Sequence, residues 1–300
     1  MRASLSLFLV ASIASLATTA NAAAGVLVPI VLASGGAAGS FYTSELTLTN
    51  RGPTAARLDF AYTAAFGGGD GTGSDWLPAG QQRIVPDAIA YLRALGVPIP
   101  AGDGRGGTLR VLVSEASASD VSVNVRTTTR VADGRAGLAY PAVASGLTAP
   151  VYLCGLRQNA ADRSNVAILN AGEPGAGDVV LRLTLFSGDS ALRTTLPDET
   201  LSPGGFRQFT EVFKGQGIEN GYVKVERVSG AAPYYAYAVV NDQVNSDGSF
   251  VPPVPATANT GKKTLILPVA VESGAFTTEI VLTSFSTAKK TLSFSYVAET

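Results

Sequence analysis

The stretch FYTSELTLTN, Phe41 to Asn50, returns as DRSNVAILN, Asp162 to Asn170, and again as FTTEIVLTS, Phe276 to Ser284. In register, Leu46 and Leu48 fall on Val166 and Ile168, then on Ile280 and Leu282. Between and beside them stand Glu45, Thr47 and Thr49; Asn165, Ala167 and Leu169; Glu279, Val281 and Thr283. Alternation with period two marks a strand with one buried face. Leu46, Leu48, Val166 and Ile168 are therefore expected in a core, with Glu45 and Asn165 exposed. An apolar run precedes each phrase: VLVPIVLA, APVYLCGL and TLILPVAV. A turn and a third alternating strand follow, carrying Leu58, Phe60 and Tyr62, then Leu181, Leu183 and Leu185, then Leu292, Phe294 and Tyr296.

The first two copies match further. LPAGQQR aligns with LSPGGFRQ, and GTLRVLVS with GYVKVERVS. Each copy carries a short helix signal between these blocks. In the first it is PDAIAYLRALG, with Asp87 as N-cap and Gly96 as stop; in the second it is TEVFKGQG, with Thr210 as N-cap. Last, DVSVNVRTTTRVADG aligns with YYAYAVVNDQVNSDG, with Asp133-Gly134 and Asp247-Gly248 as turn residues. In that register Tyr235 and Tyr237 fall on Val121 and Val123, the core face. Ala236 and Ala238 fall outside, and Tyr234 is an exposed aromatic.

The period, about 115–120 residues, is too long for a solenoid, so each copy is expected to hold its own core. About seven short strands per copy, separated by Gly, Pro, Asn and Asp turns, read as an antiparallel sandwich. The expected fold is all-β: tandem immunoglobulin-like β-sandwiches, each with one short helix, the third copy incomplete. The expected division is a signal peptide over 1–22, modules over 23–147 and 148–262, and the first strands of a third over 263–300. That third segment is expected to form a short, incomplete sheet with few contacts to the second module.

The run SELTLTNRGPTAARLDFAYT resembles the opening strands of immunoglobulin-like or fibronectin-like repeats in secreted and surface proteins of bacteria, several of them associated with adhesion. The resemblance covers about twenty residues per copy, implies a sandwich fold, and carries over no binding residues. The Cys…Trp…Cys pattern of antibody domains is absent.

The N-terminus supplies Arg2, the apolar run Leu5 to Ala17, and Ala20-Asn21-Ala22, the plan of a secretory signal cut after Ala22. A secreted, periplasmic or cell-surface location is expected, with no membrane span after the signal is removed. With 22 basic and 23 acidic residues and no basic tract, the chain offers no footprint for nucleic acid. The single Cys154 cannot form an internal disulfide; in APVYLCGL it reads as a buried, inert thiol.

There is no histidine. That removes Ser-His-Asp triads, Cys-His dyads and His-based zinc sites. The block Phe186-Ser187-Gly188-Asp189-Ser190 looks like the opening of a secreted esterase family, but no histidine can take the serine proton, so Ser190 reads as a turn residue. No catalytic residues and no cofactor are expected. The one ion with candidate ligands is Ca²⁺: Asp70 and Asp75 in the glycine-rich GGGDGTGSDW, and Asn245 and Asp247 in VVNDQVNSDG. A flexible inter-strand loop and ordinary hairpin turns are the alternative readings of those two segments. Trp76 and Tyr234 are the candidate ligand-contacting aromatics. The expected function is that of an exported, non-catalytic structural or adhesive protein whose partner is an extracellular protein or glycan. A secreted carbohydrate-binding module and an accessory region of a larger exported enzyme are the alternatives.

Overall fold

The computed structural model describes residues 24–36, 39–258, 260–274, 276–285 and 288–298; the expected signal peptide lies outside them. The chain is mostly strand, in several antiparallel sheets. The first eight strands are β1 (Ala24–Gly35), β2 (Phe41–Asn50), β3 (Ala56–Phe66), β4 (Gly71–Leu77), β5 (Gln82–Val85), β6 (Arg105–Ser114), β7 (Val121–Val131) and β8 (Gly134–Pro141), with helix α1 (Ala88–Ala94) before β6. They form two layers, β4-β3-β6-β1 and β5-β2-β7-β8, joined where the end of β1 pairs with the start of β2. Leu46 and Leu48 from one layer meet Leu58, Phe60, Leu109 and Val111 from the other in one buried cluster.

The second copy repeats this plan. Its strands are β9 (Val151–Arg157), β10 (Asp162–Asn170), β11 (Val179–Ser187), β12 (Arg193–Thr195), β13 (Glu199–Leu201), β14 (Phe206–Phe209), β15 (Asn220–Ser229), β16 (Tyr234–Asp242), β17 (Gly248–Val251) and β18 (Val254–Pro255). One layer runs β12-β11-β15-β9-β18 with β13 also on β11; the other runs β14-β10-β16-β17. Val166, Ile168, Leu181, Leu183, Leu185, Val223 and Val225 fill its core.

Buried polar anchors recur along with the apolar pattern. Ser44 Oγ accepts from Leu32 N at 3.0 Å, and Ser164 Oγ accepts from Arg157 N at 2.7 Å. The Asn50 amide donates to the Leu77 carbonyl at 3.1 Å and its Oδ1 accepts from Gly52 N at 3.0 Å. Asn170 does the same with Leu201 at 2.9 Å and Gly172 at 2.8 Å. Each asparagine pins the corner after the repeated phrase, and each serine ties the phrase to the strand before it, by satisfying backbone groups shut away from water. A bulge also recurs, between Val28 and Val31 in β1 and opposite Gly221–Tyr222 in β9.

The expected core strand positions are buried: Leu46, Leu48, Val166 and Ile168 are fully enclosed. Glu45 and Asn165 are half-buried rather than exposed. Asp87 caps α1, its carboxylate accepting from Ala90 N at 2.9 Å, and Gly96 follows with φ +90°. The helix expected at Thr210–Gly217 does not form; the segment is a run of turns. Glu211 there sits at φ +50°, its N–H taken by Asn165 Oδ1 at 2.9 Å, which is not helical geometry.

The register expected for β16 is one residue out. Ile168 pairs with Ala236 and Val166 with Ala238, so these alanines line the core where Val123 and Val125 lie in the first copy. Tyr234 is fully buried on the same face, not exposed. Tyr235 and Tyr237 point out of the sandwich. The two Asp-Gly pairs are not equivalent: Gly134 pairs with Val131 at the tip of a tight hairpin, whereas Gly248 pairs with Asn241 beneath a longer loop. A slip of one residue exchanges the two faces of a strand.

In the third segment the described residues hold one small hairpin, β19 (Glu272–Ser273) with β20 (Phe276–Thr277). Leu265, Leu267, Leu292, Phe294 and Tyr296 are exposed. The sheet expected there is thus limited to this hairpin, and the segment, expected to make few contacts with the second copy, stacks Phe285 on Tyr152 and pairs Glu279 with Arg157.

Candidate functional site

From Gly71 onward the glycine-rich segment is a strand, and residues 67–70 form the turn that leads into it. Gly71 and Gly73 occupy alternate, inward positions of β4, and the connection after α1 lies directly against them. A Cβ on Gly73 would stand 2.8 Å from Leu95 Cβ and 3.0 Å from the Leu95 carbonyl; one on Gly71 would strike Pro98. The glycines leave a shallow channel that residues 95–98 fill.

Asp75 therefore faces α1. Its carboxylate pairs with Arg83, accepts from Tyr91 Oη at 2.6 Å, and takes its neighbour's Trp76 N–H at 2.7 Å. Burial would raise the Asp75 carboxyl, but the Tyr91 and Trp76 hydrogen bonds and the Arg83 charge together outweigh it and hold it below 3.8. Asp70, at the start of the strand, accepts from Ala64 N at 2.8 Å. Asp70 just before β4 and Asp75 within it are five residues apart, with backbones about 17 Å apart at a strand's rise per residue, and their carboxylates are engaged by different partners. Asn245 Oδ1 accepts from Asp247 N at 2.8 Å as a turn, and Asp247 Oδ1 accepts from Gly137 N of the first copy at 2.9 Å. Among the described residues no three acidic, Cys or His side chains gather as metal ligands.

Of the two candidate aromatics, Trp76 is half exposed on the outer side of β4, while the Tyr234 hydroxyl donates to the Ala149 carbonyl at 2.7 Å inside the core. Ser190 occupies a turn at φ +63°, beside Asp189, which accepts from Ser187 Oγ and Ala191 N. Cys154 is partly covered; burial raises its thiol above the usual range, against a hydrogen bond with Thr283.

Two surfaces stand out that inspection of single motifs misses. One is the joint between the copies. The outer face of β14-β10-β16-β17 packs on the first copy: Tyr237 stacks with Tyr140 at 6.1 Å between ring centroids, and Phe250 with Tyr140 at 5.9 Å. Leu27 of β1 packs with Leu169, Ala171, Phe206 and Tyr235. Arg110 donates to the carbonyls of Ala171 and Gly172 and pairs with Glu173 at 2.6 Å, and Thr108 Oγ1 donates to the Gly204 carbonyl at 2.8 Å. Burial drives the Tyr237 hydroxyl far above its ordinary range, helped by the neighbouring Tyr140 and Tyr235. A cleft of about 450 Å³ opens beside the joint, lined by Leu27, Arg110, Val143 and Pro233 among others.

The other surface is an aromatic ladder on the outer face of β12-β11-β15-β9. Phe186 stacks on Tyr222 at 4.8 Å with ring planes 9° apart. Tyr152 follows at 6.1 Å, and the Arg193 guanidinium lies 5.4 Å from the Phe186 ring.

No family model matches the sequence, and no curated protein matches it. Among the described residues no helix is long and apolar enough to cross a membrane.

Proposed function

We propose that this chain is an exported, non-catalytic structural or adhesive protein, built of tandem immunoglobulin-like repeats that act as spacers and recognition surfaces. The modules run over 23–147 and 148–262, and 263–300 begins a third. The observation that carries this reading is the joint. Stacked tyrosines, a buried leucine and several direct hydrogen bonds hold one repeat on the next, which suits a stiff rod more than two domains hinged about a cleft. The absence of histidine from the sequence supports a role without histidine-based acid–base chemistry. The partner is an extracellular protein or glycan.

The test is adhesion of the purified protein to cells and to extracellular matrix, run beside a glycan array. Binding to cells or matrix without glycan dependence supports the reading; hydrolysis of generic ester or glycoside substrates contradicts it. The half-exposed Trp76 favours a second reading, a carbohydrate-binding module. Glycan binding that disappears in Trp76→Ala supports it.

A further inference from the structure

The aromatic ladder occupies the positions that form the joint one repeat earlier. In the first copy Tyr62 pairs with Leu109 and Leu109 with Val28; in the second, Leu185 pairs with Val223 and Val223 with Leu153. Superposing these core triplets places Leu27 on Tyr152, Thr108 on Tyr222, Thr63 on Phe186 and Arg110 on Lys224. The match is confirmed by Gly107 and Gly221, each lying where a Cβ would strike the carbonyl of Thr63 or Phe186 respectively. Leu27, Thr108 and Arg110 are the side chains that seat the second repeat.

The other side of the joint recurs too. Ala167 and Leu169 of β10, with Ala171 just beyond it, face the first repeat, and the repeated phrase places Val281, Thr283 and Phe285 at the same positions. Phe285 stacks on Tyr152 at 3.9 Å with planes 15° apart, as Ala171 packs on Leu27. Thr283 lies beside Cys154, the half-exposed Val281 stands over Gly155, and Glu279 pairs with Arg157. The third segment also begins folding as the second copy does. Val271 N donates to Thr278 Oγ1 at 2.8 Å, as Arg157 N does to Ser164 Oγ, and Glu272 pairs with Thr277 as Gln158 does with Arg163.

We propose that the outer face of β12-β11-β15-β9 is the seat of a third repeat, supplied by this chain's own residues 264–298 and docked through the same joint that holds the second repeat on the first. The array is then a heterologous, head-to-tail stack with one joint used repeatedly. Tyr152, Tyr222 and Phe186 are an internal interface, not a ligand platform.

Cys154, the chain's single thiol, lies beneath the docked segment and reports on it. In the full chain, the rate of maleimide labelling of Cys154 is measured for wild type, Phe285→Asp, Val281→Asp and the exposed control Phe294→Ala. The two aspartate variants are expected to label several-fold faster than wild type, with the main thermal transition unchanged, and the control to label at the wild-type rate. Protection in wild type is expected to persist on dilution. Equal rates in all four proteins overturn the seat. Protection that disappears on dilution overturns its occupation by the same chain, and assigns the face to a second copy.

Discussion

Tyr140 and Tyr237 lie with ring centroids 6.1 Å apart and planes 25° from parallel, one ring from each repeat, both almost wholly buried. Offset stacking of two buried rings contributes beyond the area they remove from water. Replacing Tyr237 by alanine opens a cavity in the joint while leaving both sandwich cores intact. Tyr237→Ala is expected to cost about 3–5 kcal/mol, as large aromatic truncations do. Urea unfolding followed by fluorescence should show a lower midpoint, and a split into two transitions as the repeats uncouple.

Asn170 tests the corner that recurs after each phrase. Its side chain satisfies the Leu201 carbonyl and Gly172 N–H where water does not reach. Asn170→Ala leaves both unpaired, at about 1–3 kcal/mol for each orphaned group. Asn170→Asp retains an acceptor for Gly172 but sets a buried carboxylate against the Leu201 and Gly177 carbonyls, and at neutral pH should lower the denaturant midpoint at least as far as alanine does.

The glycine channel makes a prediction with an internal control. Gly71→Ala pushes a methyl into Pro98 and must displace the segment after α1. A loss of about 1–3 kcal/mol is expected, the usual cost of overpacking. Thr72→Ala, on the exposed side of the same strand, should stay within about 0.5 kcal/mol of wild type. Thermal melting of the two variants side by side decides this.

Asp75 gives a pH dependence with a definite sign. Its folded carboxyl titrates below 3.8, because Tyr91, Trp76 and Arg83 together overcome the opposing effect of burial. A group depressed in the folded state adds stability that is complete above its unfolded pKa and is lost as pH falls through the folded one. The acid limb of the stability curve below about pH 4 should therefore be shallower in Asp75→Asn. An unchanged limb would show that the ion pair does not contribute.

The alternating phrases determined a great deal without a structure. Leu46, Leu48, Val166 and Ile168 are buried because a strand's side chains alternate between its two faces, and that alternation is written directly in the chain. Asp87 and Gly96 bound α1 because capping is a property of a few neighbouring residues. The joint also left a trace: the outward positions of β10 are Ala167 and Leu169 where β2 has Thr47 and Thr49, and apolar side chains there answer to a second neighbour.

What only the tertiary structure decided depends on residues remote in sequence. Tyr237 faces the first repeat, not its own core, because its register is set by pairing with Ala167 of β10, not by the Asp-Gly turn beyond it. The glycines of β4 look like loop residues until Leu95 and Pro98 are brought against them. Phe186, Tyr222 and Tyr152 lie on three strands and become a ladder only when β11, β15 and β9 are placed side by side. Period and capping are local properties of the chain, whereas which face meets which is settled by packing between segments far apart along it.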